Sequence, residues 1–179
     1  MTANDSTLPP PVVADEHIQL VDARNRPCGS APRAMMRRFH FWHRATYIVV
    51  RNATGDICVQ RRTLTKEVFP GDDDLAAGGV VGAGEAVHQA ARRELAEELG
   101  IRGQPLRSCG DFRYAKDGHH IYGSIYLVDY DGPLCLQPEE VASVRWMPLK
   151  EALALETATP DTHSALGMLY AGGWLEEAA

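Results

Sequence analysis

The sequence predicts one mixed α/β domain without internal repeats. Strand-like runs stand on both sides of a single long acidic helical stretch, and a further helical stretch lies near the end. A length of 179 residues with 45% hydrophobic content is enough to fill one sizeable core. The expected layout is a flexible tail at 1–15, an N-terminal strand and helix at 16–43, a main domain at 44–170 and a short tail at 171–179.

Taken in order, residues 1–15 carry Pro9, Pro10 and Pro11 among small polar residues, with neither a basic start nor an apolar stretch. They read as neither a secretion signal nor a membrane anchor. Residues 17–24 (HIQLVDAR) alternate apolar and polar side chains and are expected to form a strand that turns at 25–29. Residues 33–44 are basic and aromatic, and Met35, Met36, Phe39 and Trp42 fall at near-helical spacing, which places them in the core. Two strands are expected at 46–50 (TYIVV) and 57–61 (ICVQR), joined by a hairpin turn at Thr54-Gly55-Asp56. Residues 68–71 turn the chain. Asp72, Asp73 and Asp74 are expected to be a solvated acidic loop, with a place near a metal as the alternative.

The densest chemistry lies at 79–101, GVVGAGEAVHQAARRELAEELGI. No Gly or Pro interrupts 85–99, and Gly100 supplies the residue that most readily closes a helix. Glu94, Glu97 and Glu98 are related as i, i+3 and i+4, so at helical pitch their carboxylates rise from one face. Val87, Ala91, Leu95 and Leu99 form an apolar stripe that borders this patch and sets it at the rim of a packed face. Clustered hard oxygen ligands in that position suit Mg²⁺. Gly78, Gly79, Gly82 and Gly84 lack a Cβ, so the backbone there can approach an ion or a phosphate. Arg61 and Arg62 end the strand leading to this loop, where they either grip a substrate phosphate or lie in solvent.

Two more strands are expected at 108–114 and 120–130 around a turn at 116–118. His119 and His120 are neighbours, so in a strand they point to opposite faces and are expected to be structural or solvated. A last strand is expected at 143–147, then helices at 148–155 and 157–170, the second with Pro160 near its start. The formal net charge of −6 speaks against a general binder of nucleic-acid polymers or anionic membranes. Cys28, Cys58, Cys109 and Cys135 are scattered without a CxxC pair, which indicates neither a zinc knuckle nor a disulfide framework. Reduced, mostly buried thiols in a cytoplasmic protein are the expectation.

The stretch resembles the Nudix hydrolase signature at every specified position: Gly79, five residues, Glu85, seven residues, Arg93, Glu94, aliphatic Leu95, one residue, Glu97, Glu98, one residue, Gly100 and aliphatic Ile101. That resemblance implies an α/β/α sandwich with a mixed sheet, and 44–170 as the Nudix hydrolase domain. It implies hydrolysis of a diphosphate linkage in a nucleoside diphosphate joined to another group, a small-molecule substrate. Glu94, Glu97 and Glu98 would hold Mg²⁺, or Mn²⁺ in its place, with the Gly79 carbonyl as a further ligand. Arg93 would orient Glu85 or Glu97, and the general base would be Glu97 or one of the pair Glu139 and Glu140. Dimers are frequent in the family, so the resemblance admits a homodimer.

Residues 16–43 fit a smaller Nudix group that carries an N-terminal strand and helix ahead of HRATYIVV. The segments HRA and TLTKEVFPG are also similar to isopentenyl-diphosphate isomerase, which shares the fold. Counting from the shared PG, however, Gly78 takes the position of that enzyme's catalytic cysteine and Val80 that of a metal-binding histidine. A third reading is a Nudix fold used only to bind a ligand. Such modules commonly lose a signature glutamate, and none is lost here.

Overall fold

The computed structural model describes residues 16–176, so the expected tail at 1–15 and the last part of the tail at 171–179 lie outside the described residues. The fold is built on β3 (His43–Arg51), whose near-continuous apolar run is buried on both faces, as a central strand requires. It pairs in parallel with β7 (His119–Asp129) from His43↔Ile121 to Arg51↔Asp129. On its other side it meets β1 (His17–Val21) at Leu20↔His43 and β4 (Ile57–Arg62) at Arg51↔Ile57. The sheet continues through β2 (Pro27–Pro32) beside β1 and β6 (Arg107–Lys116) beside β7. The short β5 (Asp73–Asp74) and β8 (Val141–Met147) flank β4, giving eight strands. One parallel pair among antiparallel ones makes the sheet mixed.

The two-residue period of β3 sorts its side chains into two cores. Ala45, Tyr47 and Val49 pack with Ile57, Val59 and the helices α3 (Leu149–Leu153) and α4 (Pro160–Ala171). Ile48 and Val50 pack with Cys58 against Ala91, Leu95 and Leu99 of α2 (Val87–Leu99). The expected α/β/α sandwich results, and the apolar stripe of α2 is the face it buries. Gly100 adopts the left-handed conformation at φ 72° and ends α2.

Several local expectations are corrected. The first strand stops at Val21 because the Asp22 carboxylate accepts from the amides of Arg24 and Arg26, tightening the turn and leaving room for β2. The helix α1 (Arg33–Arg38) has six residues and buries only Met36, against Ile18 and Val80. Met35 and Phe39 are exposed, since so short a helix turns one side to the sheet, and Trp42 stacks instead on His120 at 4.8 Å. Helix α2 starts at Val87, with Glu85 in the turn before it.

The Asp72–Asp74 run is no solvated loop. Asp73 is 1% exposed, takes two hydrogen bonds of 2.9 Å from Arg145 and one of 2.5 Å from Thr157, and sits 3.4 Å from Arg61. Burial alone would raise its pKa, but these partners hold it below the usual carboxylate range. Nor are the thiols mostly buried: Cys58 is, with its pKa pushed up to about 12, whereas Cys28 and Cys135 are exposed. All four cysteines are free. No helix of the described residues is long and apolar enough to cross a membrane.

Candidate active site

The glycine loop ahead of α2 is fastened along β3 and β1 as an irregular strand, through bridges Ile48↔Ala77, Ala45↔Val80 and Ile18↔Gly82. Two glycines pack where no side chain fits. A Cβ on Gly78 would lie 1.9 Å from the Thr46 carbonyl oxygen, and one on Gly79 would lie 2.6 Å from Glu94 Oε1. The loop's close approach is therefore to carboxylates. The Gly78 amide donates to Glu98 Oε2 at 3.1 Å, and the Gly82 amide to Glu85 Oε2 at 3.0 Å. The Gly79 carbonyl accepts the Thr46 amide at 2.9 Å and, more weakly, the Thr46 hydroxyl at 3.5 Å.

Arg93 organises the acids. Its Nε and Nη2 reach the two oxygens of Glu85 at 2.9 and 3.1 Å, while Nη1 donates to Glu94 at 2.7 Å and Glu97 at 3.1 Å. The Arg93 bond holds Glu85 below the ordinary carboxylate range and raises the guanidinium's own pKa in return. Glu98 is turned inward, 6% exposed, and shares Oε2 between Gly78 and the Gln60 amide at 3.4 Å. Burial first, then the facing charges of Glu94 and Asp74, push its pKa up to about 8. Burial likewise raises Glu94 and Asp74.

The three predicted metal ligands thus differ in their access to the cleft. Glu94 and Glu97 open on a cleft, whereas Glu98 lies in its wall, anchored by a glycine distant in sequence. Among the described residues no three His, Cys, Asp or Glu side chains converge to hold a metal as they stand, because Arg93 is threaded between Glu94 and Glu97. Their chemistry nonetheless fits a divalent cation. Two raised, buried carboxyls stand beside a third acid, and the absent Cβ of Gly79 leaves the Glu94 oxygens their space.

The cleft measures about 530 Å³ and joins three parts of the fold. Glu94, Glu97 and Glu140 line one part, with Glu140 ion-paired to Lys66. Asp74, Thr159 and Asp161 line another, where the Tyr47 hydroxyl donates to Asp161 at 2.9 Å. The third is the N-terminal extension, through Glu16, Arg33, Met36, Arg37 and His40. His40, Phe69 and Asp117, three non-glycine residues held at positive φ, also line it.

Of the predicted substrate contacts, Arg62 lines the cleft and is held there by three of its five N–H donors, to Phe69 O at 3.0 Å, Val68 O at 2.7 Å and Asp74 at 2.6 Å. Arg61 lies outside the cleft, drawn to Asp73 across the adjoining strand. Glu139 is exposed and also outside it. Sequence reading missed Lys66, Tyr47 and the cleft side of α1, whereas Asp74 lines the cleft as the alternative reading of the acidic run allowed. The signal for α1 was present, since Arg33 and Arg37 stand at i and i+4 in a stretch otherwise read for its apolar residues.

A family model described as the NUDIX domain matches residues 41–166, more than half of the chain. The chain belongs to the Nudix hydrolase family. An uncharacterized Nudix hydrolase of Pseudomonas aeruginosa is 45% identical over 156 residues, covering 84% of this chain and 91% of that one. The uncharacterized Nudix hydrolase YfcD of Escherichia coli is 40% identical over 158 residues, with 88% of each chain covered. Among solved structures, DR0079 of Deinococcus radiodurans superposes with a TM-score of 0.77 at 25% identity, over 87% of this chain and 99% of that chain. The NUDIX domain of Shewanella oneidensis NrtR, solved with ADP ribose, superposes at 0.62 with 16% identity, over 73% and 87%, and supports the fold. As a Nudix hydrolase the chain is an enzyme acting on small molecules that contain a phosphorus anhydride.

Proposed function

We propose that this Nudix hydrolase cleaves the diphosphate linkage of a nucleoside diphosphate joined to another group, with Mg²⁺ held by Glu94, Glu97, Glu98 and the Gly79 carbonyl. The observation that carries the reading is the cleft itself, where the acids ordered by Arg93 meet Lys66 and the cations of α1 in one volume of about 530 Å³. A bound Mg²⁺, or Mn²⁺ in its place, would neutralise diphosphate charge and lower the pKa of water toward neutrality. The remaining work falls to side chains. Arg93 fixes Glu94 and Glu97 through its hold on Glu85, and loss of such supporting contacts lowers metal affinity or rate by about 10–100-fold in metal sites generally.

Glu140 is the proposed general base. Its pairing with Lys66 occupies one carboxylate oxygen and leaves the other for water, whereas Glu97 is assigned to the cation. As the water oxygen bonds to one phosphorus, the bridging P–O bond breaks and its electrons leave with the other phosphate. The proton passes to Glu140. The isomerase alternative meets a steric obstacle in this fold, because a side chain at position 78 would collide with the Thr46 carbonyl.

The test is turnover of a panel of diphosphate compounds, including ADP-ribose, dinucleotides and nucleotide sugars, with and without Mg²⁺ and read by product mass in ¹⁸O-water. Metal-dependent cleavage that is lost in Glu98→Gln supports the reading. Background rates for the protein and the variant alike would leave a ligand-binding Nudix module in its place.

A further inference from the structure

We propose that α1 supplies a second anion subsite, in which Arg33 and Arg37 hold a phosphomonoester on a part of the substrate away from the cleaved diphosphate. The inference rests on the hydrolase reading above and narrows its substrate class. Arg33 and Arg37 stand one helical turn apart and both line the cleft. Arg33 Nε is buried without a hydrogen-bond partner, and among the described residues it is the sole buried side-chain nitrogen or oxygen in that condition. A buried donor left unpaired is costly, and because the Arg33 side chain as a whole is 37% exposed, a small swing that leaves Glu16 would offer Nε to a ligand oxygen.

Each guanidinium meanwhile rests on a carboxylate that a ligand can displace. Arg33 Nη1 donates to Glu16 at 2.8 Å, and Arg37 pairs with Glu67, whose side chain is 74% exposed. Ion pairs so exposed contribute little, so exchanging them for a ligand phosphate costs little. Burial, then the neighbouring charges of Arg33 and Arg62, lower the pKa of Arg37. Glu16 and Glu140 act in the opposite sense, so a dianion gains most where it displaces the carboxylates now paired with Arg33 and Arg37. Two guanidinium forks match a phosphomonoester better than a single carboxylate does, both in charge and in bidentate geometry. The wall at Glu94, Glu97 and Glu140 is assigned to the diphosphate, and Arg33 and Arg37 line the same cleft from the N-terminal extension, so the proposal gives them an additional phosphate of the same molecule.

Binding is read by calorimetric titration of the full chain, in Mg²⁺, with adenosine 3′,5′-bisphosphate and with AMP. Turnover is read on two pairs that differ by one phosphomonoester, coenzyme A against 3′-dephospho-coenzyme A and NADP⁺ against NAD⁺. The expected result is a preference of about tenfold or more for the bisphosphate over AMP, and for the phosphorylated member of one pair in kcat/KM. In Arg33→Gln and Arg37→Gln each ratio falls toward unity. Glu67→Gln, on an exposed side chain, is expected to tighten bisphosphate binding by about threefold because a competing carboxylate is gone; a purely structural ion pair predicts no gain. Equal affinity of the unaltered protein for AMP and bisphosphate, or a proportional loss of both ligands in the arginine variants, overturns the subsite. Preferential binding with no turnover of any compound supports the subsite and overturns the hydrolase reading alone.

Discussion

Arg93 meets Glu85 through two hydrogen bonds, Nε to Oε1 at 2.9 Å and Nη2 to Oε2 at 3.1 Å, although Glu85 itself does not line the cleft. The double contact fixes the plane of the guanidinium, and the guanidinium in turn places Glu94 and Glu97. Glu85→Gln removes the charge and one acceptor from this arrangement while keeping its volume. The expected outcome is a fall in kcat/KM of about 10–100-fold, with the Mg²⁺ requirement rising by a similar factor. Rates measured across a Mg²⁺ series check it. A variant that lost rate at every Mg²⁺ concentration without a shift in the requirement would refute the positioning role.

Adjacent glycines predict opposite kinds of failure. A Cβ at position 78 would meet backbone, the Thr46 carbonyl at 1.9 Å, and Gly78 holds φ at +148°, so Gly78→Ala has nothing soft to displace. Its expected cost is on the order of 3 kcal/mol or more in folding stability. A Cβ at position 79 meets the end of the Glu94 side chain, which can swing aside. Gly79→Ala is therefore expected to fold within about 1 kcal/mol of the parent while losing most of its activity. Urea denaturation of the two variants, beside their turnover, separates the cases. Equal stability losses would show that the clash at 78 relaxes as readily as the one at 79.

Cation binding has a signature independent of substrate. A metal that binds only the folded chain stabilises it by mass action, by about 2.7 kcal/mol at a concentration 100 times its Kd. The parent protein should melt at higher temperature in Mg²⁺ or Mn²⁺, with Glu98→Gln losing most of that response. An undiminished response in the variant would place the cation elsewhere.

The sequence made the helix and its end legible because both are local. Apolar residues every four positions and a glycine at the left-handed close need no distant partner. What escaped was set by residues far away in the chain. Glu98 and Glu94 share a face by spacing, yet the Gly78 amide, 20 positions earlier, turns Glu98 into the wall. Asp73 would be solvated alone, and Arg145, 72 positions later, makes its burial tolerable. The role of α1 was hidden by a similar rule of thumb, since methionines and aromatics suggest core. In a helix of only six residues, burial of Met36 leaves Arg33 and Arg37 on the cleft.

His43 supplies a pH dependence of stability. It is 6% exposed, its Nδ1 lies 3.0 Å from the Phe41 carbonyl, and it faces the cations Arg33 and Arg37 and the ring of His119. Burial, only partly offset by the Phe41 bond, lowers its pKa from 6.5 to about 4. The unfolded chain therefore takes up a proton at higher pH than the folded one does. Its contribution is fully present above about pH 6.5 and is lost as the pH falls through 4, a loss on the order of 3 kcal/mol. His43→Asn keeps an N–H for Phe41 and removes the titration. Urea midpoints of parent and variant, compared at intervals from neutral pH down to 4, should diverge in slope over this window, with the parent losing more. Parallel slopes would mean that His43 is protonated as readily in the folded chain as in the unfolded one.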